Sequence, residues 1–70
     1  MALLLKAARV NAELSRPVVV QKLKDEHGIS ISVNTLANYE NKSSKSQPDI
    51  NTGKALASIY GMSVNDIIFL

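Results

Sequence analysis

The sequence predicts an all-α domain built from five short helices. Three observations support this. Apolar residues recur three and four positions apart along most of the 70-residue chain, the spacing that places side chains on one face of a helix. Serine, asparagine or aspartate precedes most of these segments, and glycine follows several of them, as in helix caps. No long linker divides the segments, so we expect one domain over residues 1–70.

The first two helices are predicted from composition and spacing. The segment Ala2–Leu14 lacks glycine and proline and is rich in alanine and leucine, which favours helix 1. Helix 2 is expected over Val18–Glu26, with Ser15 able to cap its start and Gly28 its end. The three consecutive valines are also compatible with a strand. Leu23 follows them at helical spacing and favours the helix.

A short connector at residues 28–31 follows helix 2. Its apolar and polar side chains alternate, which is compatible with an extended backbone. Three further helices follow this connector. The remaining elements are helix 3 over Val33–Asn41 (capped by Ser32 or Asn34), the polar loop Lys42–Pro48, helix 4 up to about Tyr60 (capped by Asp49 or Asn51), and helix 5 over Val64–Phe69 (capped by Ser63).

Composition argues against several classes of function. The chain has no cysteine and a single histidine, His27, so we expect no metal site, no catalytic triad, no cofactor or small-molecule ligand, and no enzymatic activity. The apolar start is interrupted by Lys6 and Arg9, which makes a poor signal peptide, and no apolar run is long enough to cross a membrane. We therefore expect a soluble cytoplasmic protein. The net charge of +2 permits binding to nucleic acid without requiring it.

Several segments match, in order, the helix-turn-helix family of phage repressors and Cro proteins, the Xre-like class. The matching residues are Leu5 and Arg9 in helix 1, Leu14 and Ser15 before helix 2, the run Ser32–Glu40 ending in Tyr39 and Glu40, Pro48 before helix 4, and the run Leu56–Ile68. The chain resembles this family from Leu5 to Ile68. The resemblance implies a lambda-repressor-like domain with Ser32–Asn41 as its recognition helix. The stretch between Val20 and Ser32 exceeds the family's usual turn, which predicts either a longer helix 2 or a wider turn.

The resemblance also implies roles for individual residues. Arg9 and Glu40 are expected to form a structural ion pair, because a partly buried carboxylate needs a charged, multidentate partner. The candidates for contact with DNA bases are Val33, Asn34, Thr35 and Asn38, and those for contact with DNA phosphates are Arg16, Ser32, Asn41, Lys42, Ser43 and Lys45.

The apolar C-terminal residues predict a protein partner. Four of them follow one another, namely Ile67, Ile68, Phe69 and Leu70. One short helix cannot turn all four toward one core, so we expect some to face a homodimer partner or a repressor protein in a heteromeric complex. The function expected from the resemblance is a phage or prophage regulator that binds operator DNA in a bacterial host cell. The alternative is an antirepressor or modulator of a lysogeny switch that binds another repressor protein.

Overall fold

The computed structural model describes residues 2–41 and 46–68. Within this part the chain forms four α-helices, one 3-10 turn and two short strands. In chain order the elements are β1 (Leu3–Leu4), α1 (Leu5–Asn11), α2 (Arg16–His27), α3 (Val33–Glu40), α4 (Ile50–Ile59), the 3-10 turn Val64–Asp66 and β2 (Ile67–Ile68). The prediction of a five-helix, all-α fold is therefore wrong, because the chain is mostly helical but also contains a two-stranded parallel sheet.

The sheet replaces the predicted fifth helix. Ser63 does cap a helical turn, since its Oγ accepts a hydrogen bond from the backbone N–H of Asn65. That turn ends at Asp66, and β2 then pairs in parallel with β1, with Leu3 opposite Ile67. β-branched residues favour extended backbone, but a two-residue strand forms only beside a partner. The partner lies at the opposite end of the chain, where a local pattern cannot reveal it.

Helix α1 is shorter at both ends than the helix predicted over Ala2–Leu14. β1 occupies the two positions before Leu5, so the helix begins later. At its other end Glu13 has a φ of 60°, in the left-handed region. This conformation is costly for a residue with a Cβ atom and takes the chain off the helix axis. Residues 14 and 15 then lead into α2.

Helix α2 confirms the predicted helix and decides between the two alternatives for the long turn. Helix α2 continues to His27, so most of the long stretch between Val20 and Ser32 belongs to a longer helix 2 and not to a wider turn. Gly28 ends it in the left-handed conformation with a φ of 67°, and the N–H of Gly28 bonds to the carbonyl of Lys24 at 3.2 Å, as in an αL cap. Ser15 occupies the N-cap position but its side chain makes no capping hydrogen bond, so that part of the prediction is wrong.

Helix α4 begins at a carboxylate cap. An Asp49 oxygen accepts a hydrogen bond from the backbone N–H of Thr52 at 3.3 Å, so Asp49 rather than Asn51 is the cap. Hydrogen bonding from the side chain and backbone of Thr52 holds the pKa of Asp49 below its usual value of 3.8. The helix ends at Ile59, and Gly61 follows with a positive φ of 70°.

The core lies where α2, α3 and α4 meet. Its fully buried large side chains are Val19, Leu23, Leu36 and Leu56. Smaller contributions come from α1 and from β2, whose Ile67 side chain is buried in the same cluster. Removing one of these large aliphatic side chains would cost about 2–5 kcal/mol. No helix among the described residues combines the length and apolarity that a membrane crossing requires.

Candidate nucleic-acid interface

Helix α3 has an inward face and an outward face. Leu36 is fully buried, Tyr39 is half-buried, and the Glu40 side chain is 1% exposed. These residues lie three and four positions apart and therefore share the face that contacts the core. The base-contact candidates Asn34 and Asn38 are both exposed and lie four apart, so they share the opposite side.

The first turn of α3 carries the other two base-contact candidates. Val33 is 41% exposed although its side chain is wholly apolar, and Thr35 is half-buried. Ser32 caps the helix, since its Oγ accepts a hydrogen bond from the backbone N–H of Thr35 at 3.0 Å. The two hydroxyl oxygens of Ser32 and Thr35 are also 2.9 Å apart. This pair holds the Thr35 hydroxyl at the cap.

The last turn of α3 is held by an ion-pair cluster around Glu40. Arg9 Nε donates to Glu40 Oε2 at 2.7 Å, and Arg9 Nη2 donates to Oε1 at 3.3 Å. Arg9 Nη1 also donates to the backbone carbonyl of Leu14 at 2.8 Å. The predicted partners are therefore in contact, and one guanidinium joins α1, the segment before α2 and the end of α3.

Arg16 belongs to the same cluster, which sequence reasoning missed. Its Nε donates to Glu40 Oε1 at 3.0 Å, and its side chain is 35% exposed. The residue predicted to bind phosphate is thus oriented by a buried carboxylate. The one available signal was that an inward-facing carboxylate needs a positively charged partner. That signal does not identify Arg16, because Arg16 is far from Glu40 in the sequence.

The other phosphate candidates lie at the two ends of α3. Ser32 and Asn41 are both exposed. Lys42, Ser43 and Lys45 lie outside the described residues. Helix α3 itself contains no lysine or arginine, and its only carboxylate is the buried one of Glu40. Its outward surface is therefore uncharged.

Tyr60 reaches the Glu40 cluster from the core side. Its ring is buried, and its hydroxyl has no hydrogen-bond partner among the described residues. Burial and the nearby charge of Glu40 raise the pKa of Tyr60 above its usual value, while Arg9 acts in the opposite direction. The hydroxyl therefore stays protonated at neutral pH.

The predicted partner surface divides between core and groove. Ile67 is buried, so its assignment to a partner interface is wrong: the strand pairing turns its side chain into the core. Ile68 is exposed, whereas Phe69 and Leu70 lie outside the described residues. Beside Ile68 is a largely apolar groove of about 330 Å³, lined also by Leu4, Leu5, Lys6, Ala7, Val10, Tyr39, Glu40 and Asn41. Val10 is 56% exposed there.

The described residues show no grouping of three or more metal-ligating side chains. His27 is the last residue of α2 and is exposed. A histidine there is favoured by the partial negative charge of the helix C-terminus, which accounts for it without a ligand.

No protein-family model, curated protein or solved structure matches this chain. The resemblance to phage repressors and Cro proteins therefore stays a prediction that depends on the segments named above.

Proposed function

We propose that this protein is a phage or prophage transcriptional regulator that binds operator DNA in the cytoplasm of a bacterial host. Helices α2 and α3 act as its helix-turn-helix, with α3 as the recognition helix. The observation that carries the proposal is the division of α3 into two faces. Leu36 and Glu40 anchor its inner face, while Asn34 and Asn38 project from the outer face. The major groove is about 12 Å wide and admits one helix.

The outward side chains suit contact with base edges. Asparagine can bond in a bidentate manner to N6 and N7 of adenine, and an apolar side chain can contact the methyl group of thymine. Asn34 and Asn38 supply the amides, and Val33 and Thr35 supply methyl groups. The anchored inner face supports this role, because a base contact requires a helix held at a fixed angle.

Phosphate contacts orient the domain without reading sequence. Ser32 and Asn41 at the two ends of α3 are suited to this role, as is Arg16, whose side chain remains 35% exposed while bound to Glu40. Lys42, Ser43 and Lys45, which follow α3 in the sequence, complete the proposed set. Few positive charges contribute, so we expect modest affinity for a single domain and a benefit from a homodimer with two half-sites.

The test begins with selection of bound duplexes from a random library, followed by fluorescence anisotropy on the selected sequence. A double variant, Asn34→Ala with Asn38→Ala, is expected to bind that duplex at least about tenfold more weakly, because each bidentate contact contributes about 1–3 kcal/mol. Both side chains are exposed, so the thermal melting curve is expected to stay unchanged.

The matched control is Asn11→Ala, which removes an exposed asparagine from the last residue of α1. It is expected to bind like the wild type. Equal binding by the double variant and the wild type would contradict the role of α3, and absence of any selected duplex would contradict DNA binding by the chain alone.

The alternative function is that of an antirepressor or modulator that binds a repressor protein. Two observations favour it: the outward surface of α3 is uncharged, and apolar side chains are exposed on both α3 and the groove. Analytical ultracentrifugation of the chain alone and with a candidate repressor tests this. A stable heteromeric complex without any duplex binding supports the alternative, whereas DNA binding by the chain alone supports the regulator.

A further inference from the structure

We infer that the proposed DNA site selects A·T over G·C base pairs and reads thymine through its 5-methyl group. This inference rests on the proposed function, in which α3 enters the major groove. Two observations support it: the side chains that α3 exposes to a base, and the hydrogen bonds that already engage the Glu40 carboxylate.

Guanine has no arginine or lysine reader on α3. Its major-groove edge presents two acceptors, O6 and N7, which arginine or lysine binds in a bidentate manner. Helix α3 has neither residue. The guanidinium of Arg9 donates to Glu40 and to a backbone carbonyl, and that of Arg16 is bound to Glu40 from the start of α2.

Cytosine has no carboxylate reader on α3 either. Its major-groove edge presents the N4 amino group, a donor that a carboxylate can accept. The carboxylate of α3 is that of Glu40, which is buried and already accepts three hydrogen bonds from Arg9 and Arg16. The ion-pair cluster thus removes from the interface the group that would favour a G·C pair.

Adenine and thymine match the amide and apolar groups that α3 exposes on its outer face. The exposed amides of Asn34 and Asn38 fit the N6 donor and N7 acceptor of adenine. Val33 is an exposed aliphatic side chain in the first turn of α3, and the thymine methyl is the one apolar group on the major-groove edges of the bases. Thr35 is half-buried with its hydroxyl 2.9 Å from Ser32 Oγ, and its γ-methyl group is the second apolar group that we propose for such a contact.

Deoxyuridine substitution tests the inference, because it removes only the 5-methyl group of thymine. Anisotropy is measured on a selected duplex and on the same duplex with deoxyuridine at each thymine in turn, at one salt concentration. Wild-type affinity is expected to fall about fourfold for each contacted methyl group. In Val33→Ser, the loss at the thymine read by Val33 is expected to disappear.

Val10→Ser is the matched control, because Val10 is a valine on α1 that is also exposed, at 56% against 41% for Val33. It is expected to retain the wild-type response to deoxyuridine. Selected duplexes rich in G·C pairs, or A·T-rich duplexes bound equally with and without the methyl groups, overturn the inference while DNA binding stands. If no duplex of any sequence is bound, the proposed function fails together with the inference.

Discussion

Replacing Glu40 with glutamine is the most informative perturbation of this fold. The side chain keeps its size and one acceptor oxygen but loses the charge that two guanidinium groups share. Arg9 is affected most, since its Nε lies 2.7 Å from the carboxylate and its side chain is only 11% exposed. Arg16 is affected less, because its side chain is 35% exposed and solvent screens its charge.

The expected cost is about 3 kcal/mol of unfolding free energy. Removing one partner of a buried ion pair costs about 3–5 kcal/mol, and the lower end applies because glutamine still accepts one hydrogen bond. A domain of this size has a total stability of about 4–10 kcal/mol. At roughly 4–8 °C per kcal/mol, the midpoint of thermal unfolding should fall by about 12–24 °C.

Urea and thermal unfolding followed by circular dichroism measure this effect. The matched control is Glu26→Gln, which makes the same chemical change in the exposed pair between Lys22 and Glu26, where the nitrogen and oxygen are 3.5 Å apart. The control is expected to change stability by less than about 0.5 kcal/mol. If Glu40→Gln unfolds at the same urea concentration as the control, the buried cluster does not hold α3 in place.

Three further predictions concern single residues. Tyr60→Phe should raise the unfolding free energy by about 1 kcal/mol in urea titrations, because the buried hydroxyl has no hydrogen-bond partner among the described residues. A loss of stability would instead show that the hydroxyl has such a partner. Glu13→Gly should raise the unfolding free energy by about 0.5–1 kcal/mol in the same assay, since glycine adopts the observed φ of 60° without strain. A lower unfolding free energy would mean that the glutamate side chain has a role in the folded state. Asp49 has a lowered pKa, so its contribution to stability is present above about pH 4 and is lost as pH falls through its folded-state pKa. Melting curves from pH 2 to 6 should therefore show a smaller acid-induced loss of stability for Asp49→Asn than for the wild type. Equal losses in the two proteins would contradict the role of Asp49 as a cap.

The helical segments were predictable because helix formation depends on neighbours in sequence. The spacing of Val19 and Leu23 indicates the buried face of α2, and Gly28 marks its end by allowing a positive φ. The same local reasoning identified the core side of α3 from Leu36. Ser15 shows its limit, because a serine at the right position does not always use its hydroxyl as a cap.

The candidate site was predictable only in part. The exposure of Asn34 and Asn38 follows from their positions relative to Leu36 on one helix. The engagement of Arg16 by Glu40 does not follow from any sequence interval, because it depends on how the start of α2 packs against the end of α3.

The sequence by itself determined that α2, α3 and α4 are helical, which face of α3 is apolar, and that the chain lacks the residues for a thiolate metal site. Only the tertiary structure decided the pairing of β1 with β2, the burial of Ile67, and the sharing of one carboxylate by Arg9 and Arg16. The physical reason is the range of the interactions. Helices and their caps form from residues within four positions of one another, whereas strand pairing and ion pairing join segments that meet only when the core closes.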